Sequence, residues 1–513
     1  MEQSDVLSYV DWLVEQSGGD LKLSLGELGL DSFELVKLSL EIERFVIEHL
    51  GPGWLTDTML DVRTLQSMTL GALKQLAQDI LARRVNGFSV RLFYGQTARG
   101  VSEQDALSMR ADAKLPAEIC RTRQPASNRF AGDILLTGAT GFLGAHLLEA
   151  LLRMTGRKIV VVARGRNVEH ASRRVAAALA RAREGKNDRF GEIDSRIDVL
   201  NADIARPRLG LTEGEWADFA ERIGSVFHCG AEVDYVKTYA ELRGPNVLGT
   251  REIIDLCGRG LPKILHHIST TFVFGWTTQP RAPENDCNAS MRGLDFGYIQ
   301  SKWVAEQLVA KARERGIVTH IYRPSLITAS QNGDYVRDDI FVRVLSYMIR
   351  HGVSCNSPNK ISLLPVDVCA QNIVSLALSD RLDASTFHLT ADRYYTLEMA
   401  CRCVTERHGY SFDYVDLNAF VDHMSRYCGP EDLLFPLVPF FRTNKHKIEV
   451  MREKRYDNSY YRAARSQSEH ALPEPDLADI MDAVVEFLRR ERLIPPRPQH
   501  ERSHASYQRV GSE

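Results

Sequence analysis

No run of about 18 apolar residues occurs in the 513-residue chain, so the sequence offers no membrane-spanning helix. Its nine cysteines begin at Cys120 and include no CxxC pair, which argues against a zinc site or a disulfide framework and for reduced thiols. The opening stretch MEQSDVLSYVDWLVEQ lacks a basic region ahead of an apolar core, so no signal peptide is expected there. There is no internal repeat. Neither charge dominates, with 64 Lys and Arg against 67 Asp and Glu, so no nucleic-acid footprint is expected. These absences lead to the expectation of a cytoplasmic chain with no metal, no membrane span and no nucleic-acid partner.

What is present is ordinary globular material, 44% apolar and 26% charged. The length exceeds one usual core, so roughly two or three domains are expected. Charge is unevenly spread. Residues 1–83 hold 14 acidic and 6 basic side chains, a balance of -8, so the remaining 430 carry +5. An acidic small unit is joined to a mildly basic large one.

The small unit, residues 1–85, reads as helical. SDVLSYVDWLVEQ, FELVKLSLEIERFVIEHLG and LGALKQLAQDILARR each space apolar residues at helical intervals. Residues 86–130 read as a connecting segment. From Asp133 the texture changes to short apolar runs alternating with helical patterns, the βαβ rhythm of a covered parallel sheet. The expectation is an α/β fold, with a Rossmann-like doubly wound sheet over 131–335. A smaller, mostly helical substrate subdomain follows over 336–492, within which Rossmann strands can return. The Pro-rich, polar end at 493–513 is expected to be a disordered tail.

The run LLTGATGFLGAHLLEALL sets Gly138, Gly141 and Gly144 in a G-x-x-G-x-x-G pattern between an apolar strand and a helix. Such glycines permit a tight turn and close approach of a pyrophosphate to a helix N-terminus. At the end of the next strand, VVVARGR carries Arg164 and Arg166 where an NAD site usually has an acid; Arg174 follows on the next helix. Cations there suit the extra phosphate of NADPH. Further on, HHISTTFVFG ends a strand and FGYIQSKWVAEQLV opens a helix, with Tyr298 and Lys302 four apart on one face. A lysine beside a phenol lowers its pKa, and the phenol can pass a proton to a carbonyl oxygen as hydride reaches the carbon. Thr270 is the expected second oxyanion donor, with Ser269 and Thr271 as near alternatives.

The order of glycine loop, Ser-Thr strand end, Y-x-x-x-K and YRPSLI resembles the extended short-chain dehydrogenases/reductases. MRADAKLPAEI, the glycine-loop region, FHCGAEVDYVKTYAELRGPNVLGTREII and LLPVDVCAQNIVSLAL are similar to thioester reductase domains, over roughly residues 105–400. These domains terminate non-ribosomal peptide and polyketide assembly lines and close carboxylic acid reductases. The resemblance implies NADPH-dependent release of an acyl thioester as an aldehyde or alcohol, in secondary-metabolite or lipid biosynthesis. It implies catalysis by Thr270, Tyr298 and Lys302, supported by Asn246 in NVLGT. Asp203 and Ile204 would lie near the adenine, and Pro324 and Leu326 near the nicotinamide. Thr137, Thr140, Phe142, Leu143, Gly230 and Ala231 complete the implied cofactor site. Cys229 and Asp234 depart from the family, which often has Asn at both positions.

ELGLDSFELVKLSLEIE, in turn, resembles the attachment site of acyl and peptidyl carrier proteins, four-helix domains in which the serine, here Ser32, bears a phosphopantetheine arm. On the residues alone, Asp31 and Glu34 also make a good helix cap, with Ser32 an ordinary first-turn residue. The implied partners are a phosphopantetheinyl transferase and an acyl-loading ligase or upstream synthase module. The rival readings are a reductase of free acyl-CoA or external carrier thioesters, and an NAD-dependent sugar-nucleotide epimerase.

Overall fold

The computed structural model describes residues 6–30, 32–50, 65–66, 68–82, 101, 103–119, 132–183, 195–235, 237–276, 281–285, 288, 290–291, 293–334, 336, 339–379, 385–451 and 455–497. Asp31, most of the connecting segment and the tail from residue 498 lie outside them.

Seven parallel strands form the central sheet: β1 (Asp133–Thr137), β2 (Ile159–Ala163), β3 (Ile197–Asn201), β4 (Ile223–His228), β5 (Ile264–Ile268), β7 (Val318–Pro324) and β11 (Thr386–Leu389). Their order is β11-β7-β5-β4-β1-β2-β3. Helices cover both faces, so the strands need apolar side chains on both; β2 reads Ile-Val-Val-Val-Ala and is buried throughout. Three short parallel pairs lie outside the sheet. They join β6 (Arg281–Ala282) to β13 (Arg455–Tyr456), β8 (Leu326–Thr328) to β10 (Leu363–Pro365), and β9 (Val353–Cys355) to β12 (Asp413–Val415). β11 joins the sheet beside β7 although it lies deep in the C-terminal half.

From β1 the chain runs outward to β2 and β3, then returns to the other side of β1 as β4. That reversal opens a crevice at the strand ends between β1 and β4, where open α/β sheets take their ligands. Helices Ile340–His351, Leu397–His408, Leu417–Tyr427, Val438–Val450 and Leu477–Arg490 make up most of the C-terminal subdomain. At the start of the expected tail, Leu493 and Ile494 are buried and the Pro495 carbonyl accepts the Tyr410 hydroxyl at 2.6 Å.

Residues 103–119 pack on the large unit. Met109, Leu115 and Ile119 join its core, and Asp112 accepts bonds from Tyr239 (2.7 Å) and Arg243 (2.6 Å). The N-terminal unit shows three helices among the described residues, Val6–Gln16, Ser32–Leu50 and Leu70–Leu81. They close a separate core around Val10, Leu13, Leu38, Phe45 and Leu73. Outside that core, Val36 and Leu40 pack with Phe435, Leu437 and Val438 of the C-terminal subdomain. Glu43 pairs with Arg442 at 2.5 Å in the same contact.

Candidate active site

The glycine loop is built for close approach. Gly138 follows β1 with φ +82°, a left-handed conformation that disfavours a side chain. A Cβ on Gly138 would press on the backbone of Cys229 and Gly230, just after β4. A Cβ on Gly144 would overlap the Gly138 carbonyl oxygen. Gly141 is the N-cap of helix Phe142–Met154, so the loop sits on the positive end of that helix at the β1/β4 crevice. This cradle fits a dinucleotide pyrophosphate. Thr140, Phe142 and Leu143 line the same turn and are half-buried.

Thr137 faces the other way. Its buried hydroxyl bonds His228 at 2.8 Å and accepts the Gly230 amide at 2.9 Å, which ties β1 to the end of β4. Ile204 packs against that loop, within 3.0 Å of a Cβ on Gly230, with Ala231 next along the chain. Asp203 uses one carboxylate oxygen to accept the Ala205 amide at 3.0 Å. After β2, Arg164, Arg166 and Arg174 are all exposed, and the Arg174 guanidinium reaches the Arg164 carbonyl at 2.5 Å. Pro324 ends β7 and Leu326 opens β8.

Past β5 the three candidate hydroxyls separate. Ser269 is buried and donates to Glu306 at 3.1 Å. Thr271 is buried and bonds the Tyr456 hydroxyl. Thr270, the N-cap of the turn Thr271–Phe274, is half-buried, and its hydroxyl accepts the Phe272 amide at 3.2 Å.

Tyr298 opens helix Gly297–Glu314 and is half-buried. A Cβ on Gly297 would overlap the backbone at Lys237 and Thr238, so glycine lets this helix start close against the loop before it. One turn on, Lys302 donates to the Ile268 carbonyl at 2.8 Å, fastening the helix to the end of β5. Burial pulls its ammonium down to about 8. Where the spacing suggests a lysine lowering the phenol, burial instead holds Tyr298 above its ordinary value, with the Cys229 thiol adding to the rise. A phenol so shifted is a protonated donor at neutral pH. Burial pushes Cys229 up to about 12, so its thiol is no nucleophile there. Asn246 lies in a π-helical turn, Gly244–Leu248. It accepts the Glu232 amide (2.7 Å), donates to the Glu232 carbonyl (2.9 Å) and donates to Ser301 (2.9 Å). It thereby holds the loop after β4 against the Tyr298 helix.

A family model described as "Male sterility protein", an NAD-binding domain, matches residues 136–373. The chain is 33% identical over 329 residues to a component of the linear gramicidin synthase of Brevibacillus parabrevis, covering 63% of this chain and 6% of that protein. It is 32% identical over 271 residues to L-2-aminoadipate reductase of Saccharomyces cerevisiae, covering 48% of this chain and 19% of that protein. The chain thus spans a minor part of these relatives. The crystal structure of the terminal R domain from the myxalamid PKS-NRPS pathway superposes with a TM-score of 0.69 at 28% identity, over 76% of this chain and 99% of that one. A thiolation-reductase di-domain from an archaeal non-ribosomal peptide synthetase shares the fold over 96% of this chain and 98% of its own, with a TM-score of 0.66 at 16% identity.

Residues 136–373 thus match an NAD-binding family, and the fold is that of a reductase domain from a PKS-NRPS pathway. The match supports a nicotinamide cofactor in the glycine cradle.

The structure adds two groups to the motif residues. One is a buried network beneath the site. Arg323 of YRPSLI pairs with Glu306 (2.5 Å), one turn beyond Lys302, and bonds His388 (3.1 Å) of β11. The spacing Tyr298, Lys302, Glu306 was a signal for it. The other is a cluster of rings at Tyr235, Phe272, Trp276, Phe296 and Phe440. Apart from Phe272 and Trp276, its members lie too far apart in sequence for a local pattern to link them.

Proposed function

We propose that the chain is a carrier–reductase that releases a carrier-bound acyl thioester by NADPH-dependent reduction to an aldehyde. The observation that carries this reading is the Lys302–Ile268 bond, which fastens the Tyr298 helix to the end of β5, two residues before the half-buried Thr270. Similarity to terminal reductase domains supports the thioester as substrate. The exposed arginines after β2 support NADPH, since no acid stands among residues 163–168 to meet a bare ribose. The helical unit with Ser32 opening its second helix supports the carrier assignment, as does the shared fold with a thiolation-reductase di-domain.

In this reading the backbone of Gly138–Gly144 seats the pyrophosphate, and Arg164 and Arg174 meet the extra phosphate. NADPH supplies the hydride that reduces the carbonyl carbon. Thr270 and Tyr298 hold the carbonyl oxygen through their hydroxyls. Tyr298 gives that oxygen its proton, so the carbonyl becomes a thiohemiacetal. Lys302 holds its helix to the end of β5. The thiohemiacetal collapses when its hydroxyl loses a proton and the carbon–sulfur bond breaks. The aldehyde leaves and the thiol of the Ser32 arm is freed. Asn246 acts through position, by fixing the loop at Glu232. A loading ligase or upstream module must supply the acyl group, and a phosphopantetheinyl transferase the arm.

Following NADPH absorbance with an acyl-pantetheine thioester tests the reading. Steady consumption with aldehyde formed is expected, and Tyr298→Phe should slow it roughly a hundredfold or more. No consumption by the wild-type protein would overturn the reduction. A loss of only a few-fold in the variant would remove Tyr298 as proton donor.

A further inference from the structure

The five rings named above meet beside Tyr298. Tyr235 lies 6.1 Å from Tyr298 by ring centroid, 5.7 Å from Phe296 and 5.8 Å from Phe440. Phe272 stands 6.0 Å from both Trp276 and Phe296, and Trp276 stands 6.1 Å from Phe440. They come from four places: the loop after β4, the turn after β5, the approach to the Tyr298 helix and helix Val438–Val450. A closed core would bury such rings fully. Here only Phe296 is buried, while Tyr235, Phe272, Trp276 and Phe440 keep part of their surface open. Apolar ring surface left open beside a catalytic group is the usual lining of a ligand site.

Two more observations fix its use. The cluster is continuous with the contact that holds the N-terminal unit. Tyr235 packs on the group containing Val36, Leu40, Phe435 and Leu437 as well as on the sheet-side core. Helix Val438–Val450 presents Arg442 to Glu43 and Phe440 to the rings. The rings therefore adjoin both the contact with the N-terminal unit and Tyr298. Among the described residues, Lys447 pairs with Asp295 and Lys237 pairs with Glu232, so these two cations are taken. The described residues thus offer an acyl group aromatic surface rather than these cations. The Trp276 indole nitrogen is buried with no partner among the described residues, the kind of unspent donor found at functional sites.

We infer that this aromatic cluster is the acyl-recognition site and that it selects a thioester whose acyl group ends in an aromatic or bulky apolar group, against acidic acyl groups. The inference rests on the proposed thioester reduction, and the experiment separates the two. Turnover of phenylacetyl-, acetyl- and succinyl-pantetheine is measured by NADPH absorbance. Binding of the unreactive thioethers S-(2-phenylethyl)-, S-ethyl- and S-(3-carboxypropyl)pantetheine is measured by calorimetry on the full chain. The phenyl compounds should lead both series by about tenfold or more. Phe440→Ala should cost roughly thirtyfold in kcat/KM on phenylacetyl and about threefold on acetyl. Phe440→Leu, which keeps the packing, should fall between. Equal binding of the three thioethers, or preference for the acidic acyl group, overturns the aromatic site whether or not turnover is seen. So does a loss that is uniform across acyl groups in both variants. Preferential phenyl binding with no turnover of any thioester leaves the site standing and overturns the reduction.

Discussion

The N-terminal helical unit and the Rossmann unit solve burial in opposite ways. The sheet is covered on both faces, and its strands carry apolar side chains with buried polar ones stitched between them, such as Thr137 to His228 and Arg323 to Glu306. Among the described residues, the helical unit buries one small core of its own and touches the rest by a narrow strip at Val36, Leu40 and Glu43, with Gln66 reaching Glu241 at 3.4 Å. The strip is weakly glued. Burial raises the Glu43 carboxyl above its ordinary value even though Arg442 pulls it down, so desolvation outweighs the ion pair. One unit is built to hold atoms in register; the other is built to be held lightly. The proposed delivery arm and reaction chamber would need such a division, because tethering supplies roughly millimolar effective concentration without a tight complex.

The sharpest way to break this contrast is Ser32→Ala. Turnover of substrate loaded on the carrier should vanish, while a small free thioester is still reduced. Equal loss on both substrates would show that the N-terminal unit is part of the chamber rather than the arm.

Acid should separate the units next. Burial pulls His228 down to about 3 and His320 to about 4, and drives His266 and His267 well below the ordinary imidazole range. All four are neutral in the folded sheet. Below about pH 6.5 the unfolded chain binds protons that the folded chain refuses, so stability falls with pH, down to about 4 for His320 and about 3 for His228. Each histidine contributes up to ~1.4 kcal/mol per pH unit. Glu284, pushed up to about 7 by burial, works in the opposite direction, but it is one carboxyl against four imidazoles. The helical unit has no buried histidine among its described residues. Hydrogen exchange between pH 7 and 5 should therefore show the sheet losing protection first; parallel loss in both units would mean that they unfold as one.

The smallest effect should come from the strip itself. Arg442→Ala should loosen docking by less than about fivefold, read as energy transfer between labels on the two units. A much larger drop would make the contact a fixed interface and erase the contrast.

Much of this was legible beforehand, and the reasons are local. The Gly138–Gly144 spacing announces a strand–turn–helix because only glycine tolerates the left-handed turn and the overlap between Gly138 and Gly144. Tyr298 and Lys302 announce themselves by helical spacing. Other features were not legible. Nothing local said that Thr270, rather than Ser269 or Thr271, would keep its hydroxyl at a half-open position; that follows from Glu306 and Tyr456 engaging its neighbours. Lys302 could be placed one turn from Tyr298, but its bond to the Ile268 carbonyl depends on how the helix seats on β5.

The sequence by itself determined the alternation of strand and helix, the cofactor loop and the pair of motifs that join a serine-bearing helical unit to a reductase domain. All of these are short-range patterns, set by backbone sterics and side-chain periodicity. Only the tertiary structure decided how β11 returns to the sheet, how Val36 and Leu40 meet Phe435, and how Tyr235, Phe272, Trp276, Phe296 and Phe440 gather beside Tyr298. Those contacts join residues tens to hundreds of positions apart, and burial is settled only when distant surfaces are excluded from water together.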